Sequence, residues 1–499
     1  MDKLNYAVLE TAGCPNFILK TAPERVMQFG EGNFLRAFVN YWFDIANETA
    51  GWNGKCVIVK PRNSASPTCQ QLNDQQCLYT LHLRGMERGK CVEESRVISS
   101  ISRCLDPHTE DGFQEMMRLA VSDDLEYVVS NTTEAGIVYD LTCQLNDHPC
   151  SSFPGKLTQV LYARHQAGKP GLIILPCELN DRNGDLLKDC VRKYAAQWNL
   201  GPSFSKYIET DCLFCNTLVD RIVPGGIRDL EELARLNARD GYRDDLRVVS
   251  EVFGVWMIEG PQWLAERLPF RAAGVNCHVV PDVEPYKKRK VRILNGAHTG
   301  LVLGAYLAGF DIVRDCMDNP ILLSFMNRML SREVIPTLPL DRQELEAFVS
   351  AVKDRFCNPF VNHKLLSISL NSTAKWQTRI LPSLLEYASI HHQLPSCLAM
   401  TFAAYLAFYS SRIQELTPEG LLCQRPNGDF YTCQDERWIL ELYFAHREED
   451  IPQLVHAIMA NQKLWGMDLT SISDFETATV ANLRFLRENG ALAAFGACL

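Results

Sequence analysis

A lysine, an asparagine and a histidine follow one another closely in the stretch KKRKVRILNGAH, at Lys290, Asn295 and His298. If this stretch is helical, at 100° per residue, Asn295 lies roughly 140° and His298 roughly 80° from Lys290 around the axis. One substrate oxygen could then meet an amine, an amide and an imidazole. Reduction of a ketone requires a proton donor and a dipole at the developing alkoxide, and these groups supply both. The pattern predicts carbonyl–alcohol chemistry; the alternative is a solvated basic helix start, with Asn295 near a cap and His298 in a core.

Further positive charges surround Lys290 in the sequence. They belong to Lys287, Lys288, Arg289 and Arg292. Neighbouring positive charge makes an ammonium group a better proton donor, and it attracts an acidic substrate. We therefore expect the basic run to serve both purposes.

A possible nucleotide-binding turn lies near the N-terminus, in VMQFGEGNFLRAF. A short apolar strand leads into Gly30 and Gly32 and then into an amphipathic helix, as in dinucleotide-binding βα turns. Gly30 would permit the tight bend, and Gly32 would let a pyrophosphate approach a helix N-terminus. Leu35 stands in place of the usual third glycine, so an ordinary βα turn is an equal alternative.

The end of the second strand should distinguish NAD from NADP. An acidic residue there would bind the ribose hydroxyls of NAD, but VIVKPR offers Lys60 and Arg62. These cations favour a 2′-phosphate, unless they simply face solvent. NADP therefore stays open beside NAD.

Composition limits the classes of function. A chain of 499 residues is too long for one core, so two or more domains are expected. Its net charge of −10 argues against nucleic acid and membranes as partners. The N-terminus lacks the pattern of an export signal, which predicts a cytoplasmic protein with reduced thiols. Cys212 and Cys215 lack a second pair or a nearby histidine, so no metal is expected.

Strand-like and helix-like segments alternate in the first half of the chain, which predicts a parallel sheet with helices on both faces. After about residue 285, helical periodicities dominate. The fold class expected is α/β, with a Rossmann-type parallel-sheet domain at 1–284 and a mostly α-helical domain at 285–499. The predicted strands are Val26–Phe29, Cys56–Val59, Tyr127–Ser130 and Leu172–Leu175, and the predicted helices include Glu115–Ser122, Leu157–Gln166, Asp341–Phe356, Thr378–His391 and Ala399–Gln414.

The pattern K-x4-N-x2-H resembles the signature of the polyol-specific long-chain dehydrogenases, the mannitol dehydrogenase family. Further similar motifs run along nearly the whole chain: G-x-G-x-F-x-R-A at 30–37, NTTEAGI at 131–137, NTLVDRIVPG at 216–225, RFCNPF at 355–360 and the lysine of SISLNSTAK at 367–375. The resemblance implies a Rossmann-type N-terminal domain, a helical C-terminal domain, a nicotinamide cofactor and no catalytic metal.

The same resemblance implies roles for individual residues. Lys290 would be the general acid/base, Asn295 would stabilise the oxyanion, and His298 would orient the substrate oxygen. Asp220 and Lys375 match positions near the substrate, where a structural role is as good an interpretation. The residues that would cradle the cofactor are Phe29, Gly30, Glu31, Gly32, Asn33, Phe34, Leu35, Arg36 and Ala37, with Thr133 and Glu134 on the nicotinamide side.

Two departures bear on the substrate. Mannitol-type members have C-[DE]-N where this chain has CEL at 177–179, so one oxyanion donor is missing or is supplied by Asn180 or Asn183. They also have an arginine in place of Ser367. The wording is closest to a branch that reduces D-tagaturonate to D-altronate with NADH in galacturonate breakdown. A fructuronate reductase or another polyol or sugar-acid dehydrogenase of the same family is the alternative, and a non-catalytic dinucleotide sensor is a more distant one.

A sugar acid carries a carboxylate that needs a charged partner when it is buried. Arg379 lies four residues after Lys375, so the two share a face of a helix. Arginine binds carboxylates through paired hydrogen bonds. We expect Arg379, helped by Lys375, to bind the substrate carboxylate; a structural ion pair is the alternative. A monomer or small homo-oligomer is expected.

Overall fold

The computed structural model describes residues 1–12 and 16–499. The chain forms two compact units. Unit 1 comprises Met1–Arg84 and Val92–Val283, and unit 2 comprises Gly85–Cys91 and Glu284–Leu499. Among the described residues, no helix is long and apolar enough to cross a membrane. The cytoplasmic location and the oligomeric state stay predictions.

The strands of the first 283 residues include the predicted parallel sheet. They are β1 (Glu24–Phe29), β2 (Lys55–Val59), β3 (Tyr79–Glu87), β4 (Lys90–Ile98), β5 (Ile101–Leu105), β6 (Tyr127–Ser130), β7 (Ile173–Pro176), β8 (Leu213–Phe214), β9 (Thr217–Asp220), β10 (Gly225–Gly226), β11 (Val248–Ser250), β12 (Val255–Glu259) and β13 (Cys277–Val280). Six of them form one parallel sheet in the order β5-β2-β1-β6-β7-β8. This is the strand order of the Rossmann fold, and it confirms the predicted fold class.

Helices cover both faces of this sheet. The helices of unit 1 are α1 (Tyr6–Ala12), α2 (Asn33–Leu35), α3 (Tyr41–Thr49), α4 (Thr68–Asp74), α5 (Glu110–Ala120), α6 (Phe153–Gln166), α7 (Asn183–Gln197), α8 (Gly201–Thr210), α9 (Leu230–Asp240) and α10 (Leu264–Arg267). A π turn, Arg36–Asn40, joins α2 to α3. Side chains alternate along a strand, so Val26 and Ile58 enter one core while Met27 and Val57 enter the other.

Unit 2 is mostly helical, as predicted. Its helices are α11 (Glu284–Arg289), α12 (Gly296–Leu307), α13 (Val313–Asp318), α14 (Pro320–Arg328), α15 (Arg342–Phe356), α16 (Leu365–Ile368), α17 (Ser372–Arg379), α18 (Leu381–His391), α19 (Ser396–Tyr409), α20 (Arg437–Ala445), α21 (Ile451–Met459), α22 (Gln462–Trp465), α23 (Phe475–Asn489) and α24 (Ala491–Gly496). Two π turns, Lys290–Asn295 and Met329–Val334, and two 3-10 turns, Ile335–Thr337 and Leu469–Ser471, complete the helical set. The apolar α19 is buried along nearly its whole length and packs against α12 and α23.

Two of the predicted helices were wrong in extent. The segment predicted as Thr378–His391 is divided between α17 and α18, because Pro382 has no N–H to donate to the carbonyl of Thr378. The helix predicted to reach Gln414 ends at Tyr409. Beyond it lies an antiparallel sheet that the sequence analysis missed: β14 (Glu415–Thr417), β15 (Gly420–Gln424) and β16 (Phe430–Cys433).

Candidate functional site

The glycine turn lies where the strand order of the sheet reverses, between β1 and β6. Gly30 has a φ of +130°, and its N–H donates to the carbonyl of Val59 at 3.1 Å. A Cβ placed on Gly30 would lie 3.0 Å from the carbonyl oxygen of Asn131, which follows β6. Both the backbone conformation and the close approach therefore require glycine here.

Gly32 meets a different requirement, because the space around it is open. A Cβ on Gly32 would meet nothing within 4 Å, and its φ of −67° is accessible to any residue. Gly32 is the N-cap of the helix that begins at Asn33, and no side chain caps that end. Uncapped amides at a helix N-terminus, with open space above them, fit a pyrophosphate. The turn is therefore compatible with a dinucleotide.

The other predicted cofactor residues fall into two groups. The side chains of Phe29, Leu35 and Ala37 are buried in the core of unit 1, so only their backbone could face a ligand. Glu31, Gly32, Asn33 and Phe34 are partly or fully exposed. The exposed group is the one whose side chains can reach a cofactor.

Arg36 supports the turn from inside the protein. Its guanidinium donates to the carbonyls of Glu31 at 3.2 Å and Leu246 at 2.8 Å, and to Oδ1 of Asn33 at 2.6 Å. It also lies over the ring of Tyr79. Since these contacts occupy the guanidinium, Arg36 shapes the turn.

Thr133 and Glu134 follow β6 on an exposed segment, and Thr133 has a φ of +72°. The neighbouring Thr132 is anchored by Glu178, which is 2% exposed. A carboxylate oxygen of Glu178 accepts from the N–H of Thr132 at 2.9 Å and from its Oγ1 at 3.0 Å. Burial raises the pKa of Glu178. Glu178 therefore positions the segment, a role that sequence analysis missed although the residue lay in the CEL motif.

The two cations after β2 behave differently. Lys60 is 5% exposed, and its ammonium donates to Oδ2 of Asp106 at 2.9 Å and to the carbonyl of Ser64 at 2.6 Å. The suggestion that Lys60 faces solvent was wrong, because its side chain is buried and its ammonium is paired with Asp106. Arg62 is exposed and donates to the carbonyl of Thr132 at 3.2 Å.

Of the two asparagines considered as a replacement oxyanion donor, Asn183 is excluded by its contacts. It is 1% exposed, donates to the carbonyls of Pro176 and Glu178, and accepts from the N–H of Thr217 at 2.8 Å. Asn180 donates to the carbonyl of Glu134 at 3.0 Å. Both amides therefore hold loops at the ends of the strands.

Asp220 closes β9 in unit 1, where it is 5% exposed and its backbone pairs with Val255 of β12. Its predicted contact with the substrate stays a prediction.

In unit 2, Lys290, Asn295 and His298 lie on one continuous helical segment. Lys290–Asn295 is a π turn and α12 follows directly. With hydrogen bonds from i to i+5, a π turn contains about one residue more than an α-turn. Asn295 therefore comes nearer to the face of Lys290 than the roughly 140° expected for an α-helix. Lys290, Asn295 and His298 are all partly exposed.

The imidazole of His298 stacks on the ring of Phe356 at 4.2 Å and meets His363 edge-on at 5.3 Å. Burial lowers the pKa of His298 well below its ordinary value, and the charges of His363, Arg355 and Arg379 act in the same direction. The ring is therefore neutral at neutral pH, with one nitrogen as donor and one as acceptor. The aromatic support was missed, although Phe356 lay within the RFCNPF motif.

Lys375 and Arg379 lie one turn apart on α17, which packs against α12. Lys375 Nζ donates to the carbonyl of Ile368 at 2.8 Å, and Arg379 Nη1 donates to Oγ1 of Thr299 at 3.3 Å. Burial lowers the pKa of Arg379; burial and then the charge of Arg379 lower that of Lys375. Within the described part of the chain, neither cation forms a salt bridge. The alternative of a structural ion pair is therefore wrong.

The basic run around Lys290 is partly neutralised. Arg289 pairs with Glu344 and lies 4.5 Å over the ring of Phe348. Arg292 pairs with Glu386 at 2.6 Å. These two arginines hold the π turn against neighbouring helices, so their charges are compensated locally.

Comparison with known proteins gives a consistent family. Residues 24–272 match the mannitol dehydrogenase Rossmann domain, and residues 282–486 match the mannitol dehydrogenase C-terminal domain. The altronate oxidoreductase of Pectobacterium carotovorum subsp. carotovorum (strain PC1) is 41% identical over 497 residues, covering 97% of this chain and 99% of that protein. That of Bacillus subtilis (strain 168) is 39% identical over 475 residues, covering 94% of each.

Two solved structures share the fold. A D-sorbitol dehydrogenase in substrate-free form has a TM-score of 0.81 at 23% identity and covers 99% of this chain and 100% of its own. Pseudomonas fluorescens mannitol 2-dehydrogenase, in a ternary complex with NAD and D-mannitol, has a TM-score of 0.64 at 23% identity. The match covers 99% of this chain and 98% of that one.

Proposed function

The chain belongs to the mannitol dehydrogenase family, and on that premise we propose that it reduces D-tagaturonate to D-altronate with NADH. It is a dehydrogenase that acts on CH–OH groups. The choice of substrate and cofactor draws support from the contacts of particular residues and from the altronate oxidoreductases among the relatives.

One observation carries the choice of a sugar acid: Lys375 and Arg379 are half-buried cations without a salt-bridge partner among the described residues. Leaving a charge partly buried and unpaired is unfavourable. Both cations contribute to the electrostatic environment of His298, and the carboxylate of Asp435 offsets part of the charge of Lys375. A substrate carboxylate would supply the remaining negative charge, which an uncharged polyol lacks.

The residues of unit 2 would handle the proton. When bound, the nicotinamide would supply the hydride for the carbonyl carbon. Lys290 Nζ gives a proton to the carbonyl oxygen as the negative charge develops there, and it takes the proton back in the reverse direction. The amide of Asn295 donates a hydrogen bond to the same oxygen. The neutral imidazole of His298, fixed by Phe356, orients that oxygen through its remaining N–H.

For the cofactor we favour NAD. A 2′-phosphate needs cations that are free to meet it, and Lys60 is already neutralised by Asp106. Arg62 is the exposed cation at this end of the sheet, and a single exposed guanidinium at the turn is compatible with either cofactor. The proposed reaction needs no metal. Lys290 acts on the carbonyl oxygen by donating a proton, where a metal ion would act as a Lewis acid.

The direct test measures the reduction rate for every combination of two cofactors and three substrates. NADH and NADPH are each offered with D-tagaturonate, D-fructuronate and D-fructose, before and after exhaustive chelation. We expect kcat/KM to be highest for NADH with D-tagaturonate, and to survive chelation. A higher kcat/KM for D-fructuronate would make that compound the substrate, and a higher kcat/KM with NADPH would reverse the cofactor assignment. Activity that is lost on chelation and restored by added zinc would overturn the metal-free mechanism.

The carboxylate assignment has its own test. Arg379→Met should raise KM for D-tagaturonate about thirtyfold or more, as the loss of a charge-assisted bond to a partly buried carboxylate requires. It should narrow the discrimination against D-fructose. Arg379→Lys keeps the charge and loses the paired hydrogen-bond geometry. Its KM for D-tagaturonate should lie between those of the wild type and of Arg379→Met. If kcat/KM fell by the same factor for D-tagaturonate and for D-fructose, Arg379 would support the fold and would not bind the carboxylate.

A further inference from the structure

A cluster of metal-ligand side chains lies in unit 1, in the loop between β6 and α6. It consists of Cys143, Asp147 and Cys150, whose two sulfur atoms and one carboxylate oxygen lie within 4.8 Å of one another. Among the residues that the structure describes, it is the one such group of three or more. We propose that this loop binds a divalent zinc ion, at a site separate from the proposed reaction.

The types and spacing of the ligands suit zinc. Zinc binds both Cys thiolates and Asp carboxylates, and where a tetrahedral site has three protein ligands water takes the fourth position. At a Zn–S distance of about 2.3 Å, tetrahedral angles place two sulfur atoms about 3.8 Å apart. Ligands that already lie within 4.8 Å need only small rotations of their side chains to close on the ion. Asp147 is partly exposed while both cysteines are buried, which leaves a path for the ion and for water.

The surrounding protein holds the loop in this shape. Gln159 on α6 donates to the carbonyls of Leu145 at 2.9 Å and Asp147 at 2.8 Å. The indole N–H of Trp198 donates to the carbonyl of Cys143 at 3.0 Å. Within the loop, the N–H of Gln144 donates to Oδ2 of Asp147 at 2.7 Å. The ligands therefore start close to a binding geometry, so little chain entropy is lost on binding.

A buried ammonium group lies beside the loop. Nearby, Lys156 is fully buried and its ammonium donates to the carbonyl of Ser151 at 2.9 Å. Two thiolates and a carboxylate carry three negative charges, and a divalent ion together with Lys156 balances them.

Cobalt reports this geometry directly. The reduced full-length protein, freed of metal and kept in a non-chelating phosphine reductant, is titrated with Co²⁺ alone. We expect one equivalent to bind, with intense near-ultraviolet thiolate-to-cobalt absorption and visible bands of a tetrahedral site, and Zn²⁺ to displace it. One equivalent of Zn²⁺ should also raise the Tm by a few degrees.

Variants make the assignment specific. The double variant Cys143→Ser with Cys150→Ser should lose the thiolate absorption, and Asp147→Asn should weaken binding at least tenfold. Cys91→Ser, which removes an exposed thiol outside the loop, should bind cobalt like the wild type. Asp147 lies on a partly exposed loop, so its conservative variant tests the site even if the double variant does not fold.

Three results would overturn the proposal. The wild type could bind no cobalt under reducing conditions, or the variants of the loop could retain the full thiolate spectrum. Protein isolated without reductant could also carry a Cys143–Cys150 disulfide and still bind no metal after reduction, which would make the pair a thiol–disulfide site. Because binding and Tm are measured without turnover, none of these outcomes depends on the proposed reaction.

Discussion

In each unit, a π turn that contains predicted site residues leads directly into a helix, and the side chains of these two turns differ in exposure. In unit 1, all five residues of Arg36–Asn40 are buried. In unit 2, only Ile293 and Leu294 of Lys290–Asn295 are buried. The turn in unit 1 forms part of the core behind the glycine loop, and the turn in unit 2 presents polar groups at the surface of its unit.

The two arginines associated with these sites show the same contrast. Arg36 has three hydrogen-bond acceptors and an aromatic ring around it, whereas Arg379 has Thr299 and no salt bridge within the described residues. The residue type is identical in both cases. Whether the protein itself saturates the guanidinium decides whether it supports the structure or stays available to a ligand.

The largest expected effect is at the polar π turn. Lys290→Ala should lower kcat about a hundredfold or more, because the reaction loses its general acid/base, while the affinity for NADH stays within twofold. Lys463→Ala, which removes an exposed charge elsewhere in unit 2, is the control and should stay near wild type. Steady-state rates and an NADH titration measure both. Near-normal turnover in Lys290→Ala would refute the assignment.

At the buried π turn, the expected effect is on stability. Arg36→Met leaves the carbonyl of Leu246 and Oδ1 of Asn33 without their donor, which should cost about 2–4 kcal/mol of the free energy of unfolding. Urea denaturation measures it. Arg118→Met, whose arginine forms an exposed ion pair with Glu115, should change stability by less than about 0.5 kcal/mol. Unchanged stability combined with lost cofactor affinity would show that Arg36 contacts the cofactor.

The two glycines before the buried π turn should respond differently to substitution. Gly32→Val enters open space, so the fold should survive while NADH affinity falls at least tenfold, because a branched side chain then stands where the pyrophosphate approaches. Gly30→Ala forces a positive φ and a 3.0 Å contact on Asn131, so it should lower the Tm. Circular dichroism and NADH titration of both variants separate these effects. Unchanged affinity in Gly32→Val would place the nucleotide elsewhere.

The smallest expected effect compares a structural histidine with the histidine of the site. Burial, followed by the charge of Arg247, lowers the pKa of His82 to about 3. Unfolded histidine titrates near 6.5, so between pH 6.5 and 3 the unfolded state binds more protons. The free energy of unfolding should therefore fall as the pH falls through this window, by at most about 1.4 kcal/mol per pH unit for this residue. Above pH 6.5 His82 should contribute no pH dependence.

Urea unfolding at pH 7.5 and pH 5.0 checks this prediction. His82→Gln should lose less stability between the two values than the wild type, with kcat unchanged at pH 7.5. His298→Gln should instead lower kcat at pH 7.5, because it alters the group that orients the substrate. If His82→Gln left the pH dependence of stability as it was, other groups would account for it.

Local patterns predicted most of the secondary structure where they agreed with packing. The strands β1, β2, β6 and β7 came from short apolar runs, since a sheet covered on both faces needs apolar side chains in both directions. The sheet β14–β16 was missed because its strands are short and half-exposed, with little periodicity. The break between α17 and α18 was predictable from Pro382, but the apolar pattern on either side hid it.

The sequence by itself determined the chemical groups and their order: the lysine, asparagine and histidine of 290–298, the glycines at 30 and 32, and the Rossmann succession of strands. Only the tertiary structure decided which polar groups are occupied by other parts of the protein. Lys60 is paired with Asp106, far along the chain, Asn183 is bound to Thr217, and Lys290–Asn295 forms a π turn. The reason is physical: a buried polar group takes its partner from whatever the fold brings within about 3 Å, and spacing along the chain does not contain that information.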